Sequence, residues 1–177
     1  MDHFEIAEVL DTFRILIDTR EHDTPKAKER YVNFGVPYSR ATLSYGDYCG
    51  MVTINGSEIY DTAKRVSAKC VIERKMSLDE LAMCFTRGRD RFRREMERAT
   101  LNGATVYLLV EGASFEAIIN HRYRSRFNPS AFLASLMAWT ARYNLRPVLC
   151  KAGTSGTIIK EILYRDMKER LENGEFG

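Results

Sequence analysis

Paired cysteines are missing from this sequence. Four cysteines occur in 177 residues, none of them in a C-x-x-C pair, and the three histidines lie far from them. This argues against a zinc site and against a disulfide framework. We therefore expect small buried thiols in a reducing, intracellular compartment, the cytoplasm or the nucleus. The four are Cys49, Cys70, Cys84 and Cys150.

Long apolar runs and signal-peptide patterns are also missing. No run approaches the 18 or so residues of a membrane-spanning helix, so we expect a soluble protein without membrane association. No repeat or Pro/Ser-rich linker divides the chain, whose length is typical of one domain. We expect that domain at 13–177, after an N-terminal extension at 1–12. The net charge of +3 permits nucleic acid as a partner without requiring it.

Hydrophobic patterning predicts alternating strands and helices. Residues 105–110 are almost continuously apolar, as in a strand covered on both faces. Asn55-Gly56 is typical of a two-residue hairpin turn. Apolar residues recur at helical spacing over 77–101, with a break near Gly88. Further strands are predicted at 13–18, 41–45, 48–54, 57–60, 68–74 and 147–150, and further helices at 26–34, 114–120, 129–144 and 156–171. The alternation predicts an α/β fold.

Acidic residues cluster where predicted strands end. Asp18 closes the first strand, Asp47 lies between two strands, and Glu73 is two residues before Lys75. Side chains alternate along a strand, so Glu73 and Lys75 point to the same side. Carboxylates of Asp47 and Glu73 can hold a hard cation such as Mg²⁺, and the lysine can orient water or offset negative charge. The triplet alone is weak, since surface ion pairs at a sheet edge give the same pattern.

The fuller pattern resembles the G-D-x(n)-E-R-K-x-x-x-D signature of XPF-type structure-specific endonucleases. Gly46-Asp47, then Glu73-Arg74-Lys75, then Asp79 follow in that order. Asp18-Thr19-Arg20-Glu21 looks like the D-x-R-E of the family's first strand, and 43–48 is similar to its L-x-x-G-D-Y. Gly88-Arg89 and the apolar strand that ends at Glu111 also match. The resemblance covers the chain from about residue 15 to 171.

The resemblance implies a restriction-endonuclease-like core, with a central mixed sheet flanked by helices. It also implies a dependence on Mg²⁺ or Mn²⁺ and cleavage of branched, flap or junction DNA. Asp47 and Glu73 would be metal ligands, and Lys75 would act at the water. Asp18 and Glu21 would support the metal site, and Arg74 would help to order it or contact phosphate. Asp79 would hold the basic residues of the motif. For Asp79 a second interpretation stays open, namely favourable charge at a helix N-terminus.

Basic residues suggest where DNA would bind. Residues 87–98 hold six arginines and three acidic residues. A solvated helix face explains them equally well, but phosphate contact suits arginine. Basic and aromatic residues alternate over 121–127, which is typical of a loop that follows phosphates and stacks on an unpaired base, or of an ordinary surface loop. The predicted DNA-binding residues are Arg20, Arg87, Arg89, Arg122, Arg124 and Arg126.

Two departures from the family affect the expected partners. Family members commonly carry helix-hairpin-helix repeats after the nuclease domain, and none follow here, so a separate DNA-targeting partner is an open expectation. The glutamine often found after Gly-Arg is also missing. Apolar residues are in surplus over 132–139 and 158–163, from which we expect a homodimer through the C-terminal helices, although burial within one domain would also explain them. A catalytically silent DNA-binding or scaffolding subunit is the rival function, but every acidic and E-R-K residue is retained.

Overall fold

A seven-stranded mixed sheet forms the centre of the computed structural model, which describes residues 1–60 and 65–176. The strand order is β6-β2-β1-β3-β7-β8-β9. Four of the six pairings are parallel, and β3 runs antiparallel to both β1 and β7. The strands are β1 (Arg14–Asp18), β2 (Tyr38–Leu43), β3 (Tyr48–Met51), β6 (Arg65–Val66), β7 (Cys70–Lys75), β8 (Thr105–Glu111) and β9 (Leu145–Cys150).

Helices cover both faces of this sheet, in two hydrophobic cores. They are α1 (His3–Asp11), α2 (Pro25–Val32), α3 (Leu78–Phe85), α4 (Arg89–Leu101), α5 (Phe115–Ile119), α6 (Pro129–Arg142) and α7 (Ser155–Glu172). Buried residues of α3, α4, α5 and α6 share one core, and those of α1, α2 and α7 share the other. Strand β8, which lies between β7 and β9, is buried at five of its seven residues, because both faces are covered. The predicted α/β fold with a mixed sheet flanked by helices is confirmed.

Local signals explain where several elements begin and end. Asn55 and Gly56 adopt positive φ angles of 50° and 78°, so the predicted turn joins β4 (Thr53–Ile54) to β5 (Ser57–Glu58) as a small hairpin. The predicted helix over 77–101 is two helices, α3 and α4, that meet at Gly88. A side chain there would lie 3.0 Å from the carbonyl oxygen of Met83. The predicted strand over 48–54 is divided after Met51.

The N-terminal segment is a helix that sequence patterning did not predict. Asp2 caps α1 by accepting hydrogen bonds from the backbone of Phe4 and Glu5, and the Glu5 side chain accepts one in return from Asp2. This reciprocal cap is a signal that could have been found in the sequence. Ile6 is buried in the same core as α7, against which α1 packs. Residues 3–11 therefore pack as part of the folded domain.

The aromatic surplus of α6 is largely used within the domain. Trp139 stacks on Phe92 at a centroid distance of 5.0 Å and meets Phe85 edge-on at 5.1 Å. Phe132 and Leu136 are fully buried beside it. Of the large apolar side chains of α6, Met137 stays exposed, at 40%. Most of the α6 part of the surplus that suggested a dimer therefore packs on α3 and α4, and the α7 part, 158–163, packs in the other core.

The last helix begins in close contact with α2. A Cβ added to Gly156 would lie only 2.4 Å from the carbonyl oxygen of Arg30 and 2.8 Å from Cβ of Asn33. Only glycine allows this approach, because backbone atoms cannot move aside as the end of a side chain can. The contact fixes α2, and with it the side chain of Arg30, against the start of α7. Among the described residues, no helix is both long enough and apolar enough to cross a membrane.

Candidate active site

A tight turn at Gly46-Asp47 brings the first acidic residue to the sheet. Gly46 has a φ of +73°, and a Cβ there would lie 2.8 Å from Cβ of Val71, so the position requires glycine. The backbone N–H of Asp47 donates to the carbonyl of Ile72 (2.7 Å), and its carbonyl accepts from the N–H of Asp18 (2.8 Å). Asp47 is thereby fixed between the ends of β1 and β7.

Glu73 and Lys75 lie on β7 with their side chains on one face, as predicted. Both are buried, with 4% and 8% of their surface exposed. Nζ of Lys75 forms a hydrogen-bonded ion pair with Oε1 of Glu73. The other carboxylate oxygen, Oε2, is buried without a partner among the described residues. Asp47 lies beside Glu73 and Lys75, because Oδ2 of Asp47 accepts a hydrogen bond from the backbone N–H of Arg74 in β7 (2.7 Å).

These three residues open into a cleft of about 550 Å³. Its lining is strongly charged: besides Asp47 and Glu73 it holds three further carboxylates and several basic side chains. The complete lining is Arg20, Glu21, His22, Asp47, Glu73, Arg74, Lys75, Glu80, Arg91, Arg94, Glu95 and Arg98. A recess of about 380 Å³ adjoins it, between α3 and α4, and shares Glu73 and Lys75 with it.

Burial and mutual repulsion shift the charges of the centre. Burial raises the pKa of Asp47 to about 7, with further increases from Glu21 and Glu95 and opposing decreases from Lys75 and the Arg74 N–H. Burial and then Asp47 raise the pKa of Glu73 well above its ordinary value. Burial lowers the pKa of Lys75, but Glu73 and Asp47 raise it by more, so the lysine stays protonated. Strongly raised pKa values of carboxyl groups in a cleft are typical of a functional site.

The donor set fits a hard divalent cation. Oε2 of Glu73 is a buried anionic oxygen without a partner, and the Asp47 carboxylate faces the same cleft. A cation would satisfy that oxygen and reduce the repulsion between the two groups. Within 1–60 and 65–176, no group of three or more His, Cys, Asp or Glu side chains is arranged to hold a metal ion directly. Two protein ligands completed by water fit this geometry, since Mg²⁺ usually retains several waters.

A buried ion network supports the cleft from behind. Glu111, at the end of β8, accepts from Nε of Arg30 (3.0 Å) and from Nη1 of Arg74 (3.3 Å). Arg30 also donates to the hydroxyl of Tyr48 (3.1 Å), which donates to Glu21 (3.0 Å). Arg74 lies 3.5 Å from Glu21, which closes the network. The structure thus places Arg74 and Glu21 in the wall of the site. Arg30, which sequence reasoning missed, gives no local signal because its partner is 81 residues away.

Asp18 is fully occupied by its neighbours. Its carboxylate accepts from the backbone N–H, Nε and Nη2 of Arg20 at 2.7, 2.6 and 3.0 Å, and from the backbone N–H of Leu43 at 2.9 Å. Burial raises its pKa, but these hydrogen bonds lower it by more, so the net shift is downward. Asp18 therefore orients Arg20, whose side chain lines the cleft.

Asp79, in the first turn of α3, contacts the 121–127 loop. Its Oδ1 accepts from the backbone N–H of Arg124 (2.8 Å) and of Ser125 (2.7 Å), and Oδ2 lies 3.6 Å from the Arg124 guanidinium. The structure thus joins Asp79 to the 121–127 loop and not to Arg74 or Lys75. The rings of Tyr123 and Phe127 in that loop pack on Phe132. These two rings pack in the core, whereas the arginines of the loop, Arg122, Arg124 and Arg126, are exposed.

The arginines of 87–98 lie in different surroundings. Arg91, Arg94 and Arg98 recur at helical spacing and line the cleft. Arg87 lines the adjoining recess. Arg89 lies over the Trp139 ring at 5.9 Å and does not line the cleft. The three cleft arginines and Glu95 were not singled out from the sequence, because six arginines in twelve residues make every face of the helix look charged. Their position opposite the buried residues of α4 was the usable signal.

The order of elements and the site at the ends of β1 and β7 define a restriction-endonuclease-like α/β fold. The chain is similar to XPF from Aeropyrum pernix, with a TM-score of 0.62 and 21% identity over 92% of this chain and 69% of that one. It is similar also to XPF from Aeropyrum pernix in complex with DNA, with a TM-score of 0.61 and 22% identity over 89% and 66% of the two chains.

The family described as "ERCC4 domain" matches residues 17–157, which is most of the chain. The chain therefore belongs to the ERCC4-domain family, and the XPF-type family predicted from its motifs is confirmed. No curated protein matches the sequence significantly.

Proposed function

We propose that this protein is an endodeoxyribonuclease that depends on Mg²⁺ or Mn²⁺ and cuts branched, flap or junction DNA. The observation that carries the proposal is the buried, unpartnered Oε2 of Glu73, which faces a cleft beside Asp47 and Lys75. A buried carboxylate oxygen without a hydrogen bond is costly unless a ligand occupies it. The DNA complex of the Aeropyrum pernix protein supports DNA as the substrate.

The residues of the cleft divide the chemical work. Asp47 and Glu73 would hold the cation, which supplies positive charge where the phosphate oxygens become more negative as the P–O bond breaks. Lys75 is protonated and donates to Glu73, so its role is to orient the attacking water and to offset negative charge. Arg20, positioned by Asp18, can contact the neighbouring phosphate. Arg74 and Glu21 keep the strand ends in place through the Glu111 network.

Cleavage of labelled DNA tests this function. Asp47→Ala, Glu73→Ala and Lys75→Ala should each lower the cleavage rate by roughly a hundredfold or more, because each removes a cation ligand or a stabilising charge. Branched and linear substrates should be compared with Mg²⁺, with Mn²⁺ and with EDTA. Glu169→Ala, an exposed position on α7 far along the chain from the cleft, serves as the control and should cut like wild type.

The same experiment separates the two candidate functions. A silent scaffolding subunit would bind branched DNA but leave it uncut with either metal, and the three alanine variants would bind as wild type does. Intact retention of Asp47, Glu73, Arg74 and Lys75 in one cleft favours the active enzyme. Equal cleavage by an Asp47→Ala, Glu73→Ala double variant would show that the active-site assignment is wrong.

Arginines would supply most of the DNA affinity, from two surfaces. Replacing Arg91, Arg94 and Arg98 by glutamine should lower the slope of log K against log salt by about 0.9 for each lost phosphate contact. The matching loop variant replaces Arg122, Arg124 and Arg126, all exposed. Titrations of fluorescent DNA at several salt concentrations measure both slopes. An unchanged slope in the loop variant would identify 121–127 as an ordinary surface loop.

Assembly as a homodimer, together with a separate DNA-targeting partner, completes the proposal. Two copies would present two basic clefts and raise the affinity for DNA through effective concentration. The apolar groups left on the surface of α6, chiefly Met137, give a dimer less to bury than the sequence suggested. Light scattering coupled to size-exclusion chromatography measures the oligomeric state. A mass near 20.4 kDa at micromolar concentration contradicts the dimer, and twice that mass supports it.

A further inference from the structure

Glu95 lies in the cleft, in contact with the turn that carries Asp47. It is half-buried on α4, and its Oε1 accepts a hydrogen bond from the backbone N–H of Gly46 (3.2 Å). It lines the same cleft as Asp47 and Glu73. No motif of the sequence pointed to it, so its place beside the two metal-binding candidates comes from the fold alone.

Glu95 differs from other acidic residues of α4 in that no arginine of this arginine-rich helix pairs with it. Arg93 pairs with Asp90 and with Glu97, on another side of α4. Within the part of the chain that the structure describes, Glu95 forms no ion pair, although Arg91, Arg94 and Arg98 line the same cleft. A carboxylate with that many cationic neighbours on its own helix is instead turned towards Gly46 and the acidic residues behind it.

A buried carboxylate oxygen without a partner indicates a missing positive charge beside Glu73. Oε2 of Glu73 is buried and unpartnered, and Glu73 itself is only 4% exposed. Five carboxylates and six basic side chains, five of them arginines, line the cleft, yet among the described residues Lys75 alone pairs with Glu73, through Oε1. A divalent cation beside Asp47, Glu73 and Glu95 would satisfy the remaining oxygen, Oε2.

We infer that Glu95 is a third carboxylate of the metal centre, which binds the hydrated cation through water and fixes the Gly46-Asp47 turn. The water-mediated form follows from the absence, among the described residues, of three acidic side chains placed for direct ligation. Mg²⁺ retains several of its waters, and outer carboxylates that hold such waters orient the ligands. This inference rests on the proposed metal-dependent function and adds a residue to its site.

Metal binding without DNA tests the inference. Glu95→Gln keeps an acceptor for the Gly46 N–H but removes the negative charge. We expect its affinity for Mn²⁺, measured by isothermal titration of metal-free protein, to fall about 10- to 100-fold. The melting temperature of the metal-free variant should be no lower than that of wild type, because the hydrogen bond to Gly46 and the shape of the side chain are retained. A purely structural role for Glu95 predicts no change in Mn²⁺ affinity.

Glu97→Gln is the matched control, since it removes the same charge from the same helix but on the face that pairs with Arg93. It should bind Mn²⁺ as wild type does. Wild-type affinity in Glu95→Gln, or an equal loss in Glu97→Gln, would overturn the inference. A wild-type protein that binds no Mn²⁺, or an Asp47→Asn, Glu73→Gln variant that binds it undiminished, would instead refute the proposed metal site. The two failures are thus distinguishable.

Discussion

Two pairs of acidic residues lie near each other at the strand ends, with opposite surroundings. Asp18 and Glu111 have both carboxylate oxygens hydrogen-bonded, to Arg20 and Leu43 or to Arg30 and Arg74. Asp47 has one hydrogen bond, from a backbone N–H, and Glu73 has only its lysine. Although burial acts on all four, the pKa values of the first pair are lowered and those of the second pair are raised.

The two pairs differ in their effect on stability. Asp18 and Glu111 stabilise the folded state, whereas Asp47 and Glu73 destabilise it when no ligand is bound. A buried carboxylate with matched donors costs little and holds distant elements together, as Glu111 joins α2 to β7. One without donors destabilises the protein unless something else binds it, and sites of function commonly carry that cost. Acidic residues that lie close together in the folded sheet therefore have different roles. Their hydrogen bonds reveal these roles, and their positions in the sequence do not.

The largest effect should follow from removing Glu111. Glu111→Ala leaves Arg30, which is 5% exposed, and Arg74 without their shared partner. Breaking such a buried ion network should lower the free energy of unfolding by about 3 to 5 kcal/mol. Urea unfolding followed by circular dichroism measures the change, and the exposed Glu169→Ala should stay within about 0.5 kcal/mol of wild type. A loss no larger than that of the control would contradict the distinction.

The pH dependence of Glu111 gives the same prediction a second test. Burial raises its pKa, but hydrogen bonds from Ser155 and Arg30 and the charges of Arg30 and Arg74 lower it to a net value below the ordinary 4.5. A lowered pKa means that the stabilisation is present above pH 4.5 and is lost as the pH falls through the folded-state pKa. The stability difference between wild type and Glu111→Gln should therefore be full at pH 7 and should shrink below pH 4.

A smaller effect of opposite sign is expected from Asp47. Asp47→Asn retains an acceptor for the Arg74 N–H but removes a charge that Glu73, Glu21 and Glu95 repel. In EDTA at pH 8, the metal-free variant should be more stable than wild type by about 1 kcal/mol, while its cleavage is lost. Thermal unfolding measures this, with the exposed Asp90→Asn as the neutral comparison. A destabilised Asp47→Asn protein would place Asp47 with the fold-stabilising carboxylates.

Sequence patterns predicted the features that depend on local signals. Strand ends carry Asp47 and Glu73, the hairpin turns at Asn55-Gly56, and α3 ends before Gly88, because each follows from alternation or from backbone preference. The mixed sheet was predicted through the family resemblance. These are properties of short segments or of motifs, so a single sequence is enough to find them.

Features that depend on distant contacts could not be predicted. Arg30 meets Glu111 across 81 residues, and Glu95 meets Gly46 across 49, so neither pair leaves a local pattern. The sequence suggested that the rings of Tyr123 and Phe127 could stack on a base. In the structure both rings pack on Phe132. In each case the sequence shows the chemical group and only the folded chain shows its partner.

The close approach of Gly156 to Arg30 has a consequence for biosynthesis. During translation α2 emerges early, but the helix start that holds it in place is made more than a hundred residues later. Until that segment has left the ribosome and docked, Arg30 lacks its fixed position and Glu111 lacks part of its ion network. Contacts of such long separation form late in folding. The ion network behind the candidate site is therefore complete only after the last helix has been made.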